Sequence, residues 1–148
     1  MTTPLARLVQ VHKAIGHPVR LRLLALLRGG PLCVCQMTVL VRLAASTVSE
    51  HLSELRRAGL VVERKEGRWV EYRLAEAVVS EGTLESIWPA LEGDRDAEAD
   101  AVLARALRRV SLEELCGADL DLSRIGRPKL ASAAAKAERI RASARGAR

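Results

Sequence analysis

The spacing of apolar residues changes at Gly59, and this change restricts the chain to a small group of folds. Before Gly59, apolar residues recur every three or four positions, which predicts helices. After it, residues 60–65 and 68–74 are rich in β-branched and aromatic residues, which favours strands. Glu66-Gly67 between these runs predicts a two-residue hairpin turn. We therefore predict a mainly α domain with one small β-hairpin.

The two predicted helices just before Gly59 are short and close together. Residues 33–44 carry one apolar stripe, and Ser46 is predicted to cap the helix that follows and ends at Gly59. Two short helices joined by a turn of about three residues are typical of a helix-turn-helix. The basic hairpin that comes next is then a wing, so we predict a winged helix-turn-helix.

The charge is distributed unevenly along the 148 residues. Residues 1–79 carry 12 basic and 6 acidic side chains, residues 80–126 carry 5 and 11, and residues 127–148 carry 7 and 1. The basic first part predicts a double-stranded nucleic acid as partner, because an aromatic content of 2% disfavours binding of single strands by base stacking. No apolar run could span a membrane, and the N-terminus is unlike a secretory signal, so we expect a cytoplasmic protein.

We divide the chain into three regions. Residues 1–92 form the DNA-binding and dimerisation domain, 93–117 a helical C-terminal extension, and 118–148 a basic tail rich in Ala and Arg. We expect the tail to be flexible, since it lacks a broad apolar face. Apolar residues outside the predicted core are candidates for a homodimer interface. They are Leu5, Leu8, Leu84, Ile87, Trp88 and Leu91. The alternative is that these residues pack onto their own subunit.

Four segments, in order and spacing, resemble the ArsR/SmtB family of bacterial winged-helix repressors over roughly residues 5–92. They are Ala-Ile-Gly-His-Pro-Val-Arg-Leu-Arg-Leu-Leu at 14–24, Leu-Cys-Val-Cys at 32–35, Ser-Thr-Val-Ser-Glu-His-Leu at 46–52 and Arg-Lys-Glu-Gly-Arg-Trp-Val-Glu-Tyr-Arg-Leu at 64–74. The Cys-Val-Cys segment resembles the arsenic- and antimony-responsive branch in particular. The resemblance implies a homodimer that binds operator DNA when metal-free and releases it when trivalent arsenic or antimony binds, with no organic cofactor.

Cys33 and Cys35 are the predicted metalloid ligands, because soft metals and metalloids prefer thiolates. They lie at a predicted helix start, where we expect the free amides and the helix dipole to lower the thiol pKa. Residues two positions apart on a helix lie about 200° apart around the axis, so both can bind one atom only if that turn unwinds. Where similar repressors can carry a third Cys, this chain has Met37. Cys116, from the same chain or a partner, is the remaining candidate.

The start of the helix after residue 45 and the wing are the predicted DNA contacts. Ser46, Thr47, Ser49, Glu50 and His51 come early in that helix, the end that reaches base edges in a major groove. The alternative is that the hydroxyl residues only cap the helix or contact phosphates, and that His51 is structural. The basic side chains of the predicted wing are expected to contact the DNA backbone or minor groove, unless they only guard an edge strand; they are Arg64, Lys65 and Arg68.

Other functions remain open at this point. The cysteines could form a disulfide in a redox-sensing repressor, bind another soft metal such as Cd(II), or be inert. A thiol enzyme is disfavoured, because the chain has no Cys-x-x-Cys motif, phosphate loop or convincing Cys-His pair. A zinc site is also disfavoured, since His12, His17 and His51 do not share a helix face.

Overall fold

The structure is a computed structural model that describes residues 3–143. In that range the elements follow one another in this order: α1 (Pro4–Ile15), α2 (Pro18–Arg28), β1 (Leu32–Cys33), α3 (Val34–Val41), α4 (Ala45–Arg57), β2 (Val61–Glu66), β3 (Trp69–Leu74), α5 (Glu76–Ser80), α6 (Ile87–Leu91), α7 (Arg95–Leu107), α8 (Leu112–Gly117), a 3-10 helix (Leu122–Ile125) and α9 (Pro128–Ser143).

Helix α2 is the buried centre, as its apolar composition predicts. Leu23 and Leu24 are fully buried, and α2 contacts α1, α3, α4 and α7. Pro18 occupies its first turn, where a missing N–H costs nothing, and His17 Nδ1 accepts a hydrogen bond from the Val19 amide at 3.1 Å. His17 therefore has the structural role of a helix cap.

Helices α3 and α4 form the predicted helix-turn-helix, with a three-residue turn at 42–44. Arg42 adopts a left-handed conformation with φ 58° and ends α3. The prediction that Ser46 caps α4 is wrong. The helix begins one residue earlier, with Ala44 at the cap position and no side chain there accepting a hydrogen bond, so Ser46 lies inside the first turn.

The wing is confirmed, but its turn lies one residue later than predicted. Glu66 pairs with Trp69 at the end of the antiparallel β2–β3 ladder, so Gly67-Arg68 forms the turn. Gly67 has φ +62°, and a glycine with positive φ at the first central position suits a type II′ hairpin turn. The sheet order is β1-β3-β2, because Leu32–Cys33 adds a short third strand that the apolar pattern did not predict.

Two segments with apolar residues at helical spacing, 78–91 and 97–115, each fall in a pair of helices rather than in one. Residues 76–91 contain α5 and α6, separated by a turn in which Gly82 has φ +65°. Residues 95–117 contain α7 and α8, because the Ser111 side chain caps a new helix by accepting from the Glu114 amide at 3.1 Å. No helix within residues 3–143 is long and apolar enough to cross a membrane.

The region after residue 118 differs from the expected flexible tail. Residues 128–143 form α9, which packs along α7 and buries Leu130 and Ala137. Small alanines let the two helices approach closely, so a narrow apolar strip is sufficient where the sequence suggested none. The buried residues from Val11 to Ala137 form one cluster, and only residues 144–148 of the proposed tail lie outside the described range.

Candidate thiol site and nucleic-acid interface

Helix α4 presents one polar face to solvent and one apolar face to the core. Val48, Leu52 and Leu55 are buried, which fixes the rotation of the helix. Ser46, Ser49 and Glu50 are consequently exposed and Thr47 is partly exposed. The predicted base-reading residues, His51 excepted, thus lie on an accessible surface at the start of α4.

His51 differs from the other predicted DNA contacts. Its ring lies 4.4 Å from the ring of His17, centroid to centroid, and is tilted by 43°. Burial, followed by the electrostatic influence of His17 and Arg20, lowers the pKa of His51 below its ordinary value. This favours a neutral ring that joins α4 to the start of α2, in agreement with the structural alternative.

The wing carries the predicted cations at its exposed tip. Arg64 pairs with Glu66 at 2.8 Å, Lys65 is exposed, and the Arg68 guanidinium lies 4.6 Å from the Trp69 ring centroid. Both side chains of the Arg64–Glu66 pair are about half exposed or more, so the pair is weak and Arg64 can exchange partners.

Polar contacts hold the base of the wing against α4. Tyr72 is buried and donates its hydroxyl to Glu63 at 2.9 Å, and Glu63 also pairs with Arg56 of α4. Burial first, and then the Glu63 carboxylate, raise the pKa of Tyr72 to about 12. The wing and α4 are therefore coupled through one carboxylate.

Cys33 and Cys35 lie at the start of α3, as predicted. Cys33 is the cap residue and is only 5% exposed, and its backbone N–H donates to Gln36 Oε1 at 2.8 Å. It is also part of β1, where it pairs with Glu71 of β3. Cys35, within the first helical turn, is partly exposed.

Cys116 is brought to this site by the tertiary fold. It is exposed on α8, which contacts α3, and it lies near enough to Cys35 to raise the pKa of that thiol. The third cysteine is thus brought near the pair within the same chain.

The predicted lowering of the thiol pKa values is wrong. Burial is the largest influence on both residues of the pair and favours the neutral thiols. The other two sulfurs add to it for Cys35, and although the Gln36 amide opposes the change, the pKa of Cys35 rises to about 11. The pKa of Cys33 is also raised, by burial and then by Glu71. Desolvation therefore outweighs the helix start.

The three cysteines do not form a complete metal site as they stand. No group of three His, Cys, Asp or Glu side chains anywhere in residues 3–143 is arranged to hold a metal ion. Cys33 has the extended backbone of a cap residue, with φ −85° and ψ 159°, whereas Cys35 lies within the first helical turn.

A cleft of about 440 Å³ leads from the wing to the thiols. Arg68 and Trp69 line it from the wing, and Glu113, Cys116 and Gly117 line it from α8. A small solute can therefore approach Cys116 beside a wing cation.

Sequence reasoning missed a buried charge network that links four helices. Asp100 of α7 is 1% exposed and accepts from Arg22 at 2.7 and 2.9 Å and from Arg141 at 2.8 Å. Arg141 also donates to the Leu40 carbonyl at the end of α3, at 3.2 Å. A signal was present in the sequence, because Asp100 stands at helical spacing from Leu103 and Leu107 and so places a carboxylate on the apolar stripe of α7.

The residues predicted for a dimer interface are divided by the structure. Leu84 and Trp88 are buried in their own chain, and Ile87 and Leu91 are partly buried, so the alternative of packing onto the same subunit fits these residues. Leu5 and Leu8 are 72% and 56% exposed on α1 and remain available.

Part of this chain resembles known proteins. Residues 17–62 match the family described as "Bacterial regulatory protein, arsR family". The arsenic resistance transcriptional regulator ArsR1 of Pseudomonas putida is 42% identical over 65 residues, which are 43% of this chain and 51% of that protein. The HTH-type transcriptional regulator CmtR of Mycobacterium tuberculosis is 37% identical over 89 residues, which are 60% of this chain and 75% of that protein.

A solved structure extends the likeness to the fold. The homodimeric winged helix-turn-helix domain Mb0332 of Mycobacterium bovis, described as a possible ArsR-family transcriptional regulator, is 30% identical and has a TM-score of 0.53. The match covers 60% of this chain and 82% of that domain. The fold defines a winged helix-turn-helix protein of the transcriptional regulator class. More narrowly, the chain belongs to the arsR family of bacterial regulatory proteins.

Proposed function

We propose that the chain is a metalloid-responsive repressor, which binds operator DNA as a homodimer and releases it when trivalent arsenic or antimony binds its thiols. The observation that carries this proposal is the proximity of Cys116 to Cys35, which raises the pKa of the Cys35 thiol. It joins the first helix of the helix-turn-helix to α8, so a ligand held there acts directly on the DNA-binding unit. The likeness to ArsR1, an arsenic resistance regulator, supports the choice of ligand.

The protonated state of the thiols favours trivalent arsenic over a divalent cation. Arsenite reacts as neutral As(OH)₃: each thiol sulfur replaces one hydroxyl, and the thiol proton leaves with that hydroxyl as water. A divalent ion such as Cd(II) must instead release each proton to solvent. With the pKa of Cys35 raised to about 11, that release is costly near pH 7, whereas the exchange with As(OH)₃ needs no free proton.

The proposed binding sequence starts with the Cys35 and Cys116 thiols, which already influence each other. Cys35 and Cys116 replace two hydroxyls of As(OH)₃, and Cys33 replaces the third after the first turn of α3 unwinds. Unwinding breaks the hydrogen bond from the Cys33 amide to Gln36 and disturbs the pairing of β1 with β3. Because α3 packs against α4, the change alters how α4 and the wing fit one duplex.

The experiment is a titration of metalloids into the complex of reduced protein with a fluorescent fragment of its own promoter, followed by anisotropy. Arsenite and antimonite should weaken binding about five- to 150-fold, the usual range of allosteric coupling. Cys35→Ser should abolish the response while leaving DNA binding intact. Methylarsenite, which offers two exchangeable positions, should bind Cys33→Ser through Cys35 and Cys116 without weakening its DNA affinity, because the first turn of α3 then stays wound. Failure of every metalloid to release DNA would refute the proposal of a metalloid-responsive repressor.

Binding of DNA by α4 and the wing is tested by its salt dependence. Each phosphate that a wing cation neutralises adds about one to the slope of log affinity against log salt, so replacing Arg64 and Arg68 with Ala in both subunits should make the slope shallower by up to about four. Glu81→Ala, outside α4 and the wing, serves as a control that should leave the slope unchanged. An unaltered slope in the double variant would exclude the wing from the interface.

We propose that the repressor acts in the cytoplasm.

A redox-sensing repressor is the second candidate, and the same proximity of Cys116 to Cys35 favours it. Peroxide would oxidise Cys35 and Cys116 to a disulfide, with two molecules of water as the reduced product. The raised pKa of Cys35 opposes this reaction, because the thiolate is the nucleophile. Release of DNA by peroxide in metal-free buffer, reversed by a dithiol, would support this candidate over the metalloid.

A further inference from the structure

A basic groove lies between α7 and the beginning of α9. Its volume is about 680 Å³, which falls within the range of small-molecule sites. It is separate from the three cysteines, which do not line it. Val102 and Ala106 of α7 and Leu130 of α9 form its apolar floor.

The rim of the groove is cationic. Arg105 follows Val102 at helical spacing on α7, and Arg109 lies in the turn just after that helix. Lys129 and Lys136 stand on α9, seven residues apart. In the part of the chain that the structure describes, none of these four side chains has an ion-pair partner. Among residues 3–143, no carboxylate side chain lines the groove.

Two further observations support an anionic occupant. Arg127, the fifth cation of the lining, is held in place by Glu114 at 2.7 and 2.9 Å and donates to the Arg109 carbonyl at 3.2 Å. It orders the entry into α9, whose first residues, Pro128, Lys129 and Leu130, line the groove and bring the positive end of the helix dipole to it. Cations beside an apolar floor call for a ligand that has both a negative group and an apolar body.

We propose that this groove binds an organic anion with an apolar body, the chemical class of medium-chain carboxylates. The carboxylate would lie among the rim cations, and the hydrocarbon would cover Val102, Ala106 and Leu130. A bare inorganic anion would leave the floor exposed to water, and a neutral alcohol would leave the cations without a partner.

The test is isothermal titration of octanoate into the full chain, without DNA or metalloid, so that its outcome is independent of the proposed repressor function. Octanoate should bind saturably at one site per chain, at least about tenfold more tightly than 1-octanol, acetate or inorganic phosphate. Arg105→Glu with Lys136→Glu should abolish binding. Lys136→Glu alone, at an exposed position that does not endanger folding, should weaken it. Arg139→Glu, on α9 but outside the groove, should not change it.

Three results would overturn the proposal. One is the absence of saturable octanoate binding, and another is equal binding by 1-octanol or phosphate. The third is octanoate binding that the groove variants do not alter. If those variants instead reduced DNA affinity or self-association with no octanoate site, the groove would belong to DNA or to a second copy of the chain.

Discussion

The winged helix-turn-helix, residues 4–74, and the C-terminal helices, residues 95–143, are held together by different means. The first region buries leucines at regular helical spacing, which determine how α2, α3 and α4 pack. The second relies on small alanines between α7 and α9 and on the buried charges around Asp100. A weak apolar pattern can thus still specify one arrangement when oriented ion pairs complete it.

The two regions meet at both ends of α3. Cys116 of α8 lies near Cys35 at its start, and Arg141 of α9 donates to the Leu40 carbonyl at its end. The C-terminal helices are therefore in a position to influence the DNA-binding unit, although they lie mostly outside the part that matches known relatives.

The largest expected effect comes from the charge network. Asp100→Ala leaves Arg22 and Arg141 without their shared carboxylate, and removing one partner of a buried ion pair costs about 3–5 kcal/mol. Urea denaturation followed by circular dichroism measures this loss. Asp96→Ala is the matched control, because Asp96 is 58% exposed and 4.0 Å from Arg141, and it should change stability by less than about 0.5 kcal/mol. Equal effects of the two variants would contradict the role of the network.

The next prediction asks whether the two regions unfold together. Leu130→Ala in α9 and Leu52→Ala in α4 each remove a buried side chain, and each should cost about 2–5 kcal/mol. Because the core is one cluster, both variants should shift a single unfolding transition. Two separate transitions in Leu130→Ala, with the helix-turn-helix unaffected, would show that the regions are independent.

The thiol site predicts a loss of stability in alkaline solution. Cys35 has its pKa raised from 9.0 to about 11, so the folded state keeps its proton while the unfolded chain loses it. This contribution is complete below pH 9 and is lost as the pH rises toward 11, by about 1–2 kcal/mol. Cys35→Ser should reduce the fall in stability over that interval, measured by urea denaturation of reduced protein. An equally steep fall in the stability of the variant would show that titratable groups other than Cys35 cause the loss.

The smallest predicted difference concerns helix caps. Ser111 accepts from the Glu114 amide at the start of α8, so Ser111→Ala should cost about 1 kcal/mol. Ser46→Ala should cost less than about 0.5 kcal/mol, since Ser46 lies inside the first turn of α4 and caps nothing. Thermal unfolding of the two variants side by side measures the difference. A larger loss of stability in Ser46→Ala than in Ser111→Ala would show that Ser46 does cap α4.

Much of the fold could be predicted because its signals are local. Apolar spacing and glycines located α1 to α4 and the hairpin, since each depends on residues close together in the chain. The details that the sequence prediction missed are the exact ends of elements, where neighbouring positions differ little in free energy. One example is α4, which starts at Ala45 rather than after Ser46. The candidate site was predicted in part: Cys33 and Cys35 are at a helix start, but the direction of their pKa shifts depends on burial.

The sequence alone determined the class of fold, the exposed polar face of α4, the basic wing and the pair of thiols, because all of these follow from periodicity and from residue chemistry. Only the tertiary structure decided that Cys116 lies near Cys35, that Asp100 joins three helices through two arginines, and that α9 packs on α7. These contacts connect residues far apart in the chain. Their free energy depends on burial and on the relative orientation of helices, which no short stretch of sequence specifies.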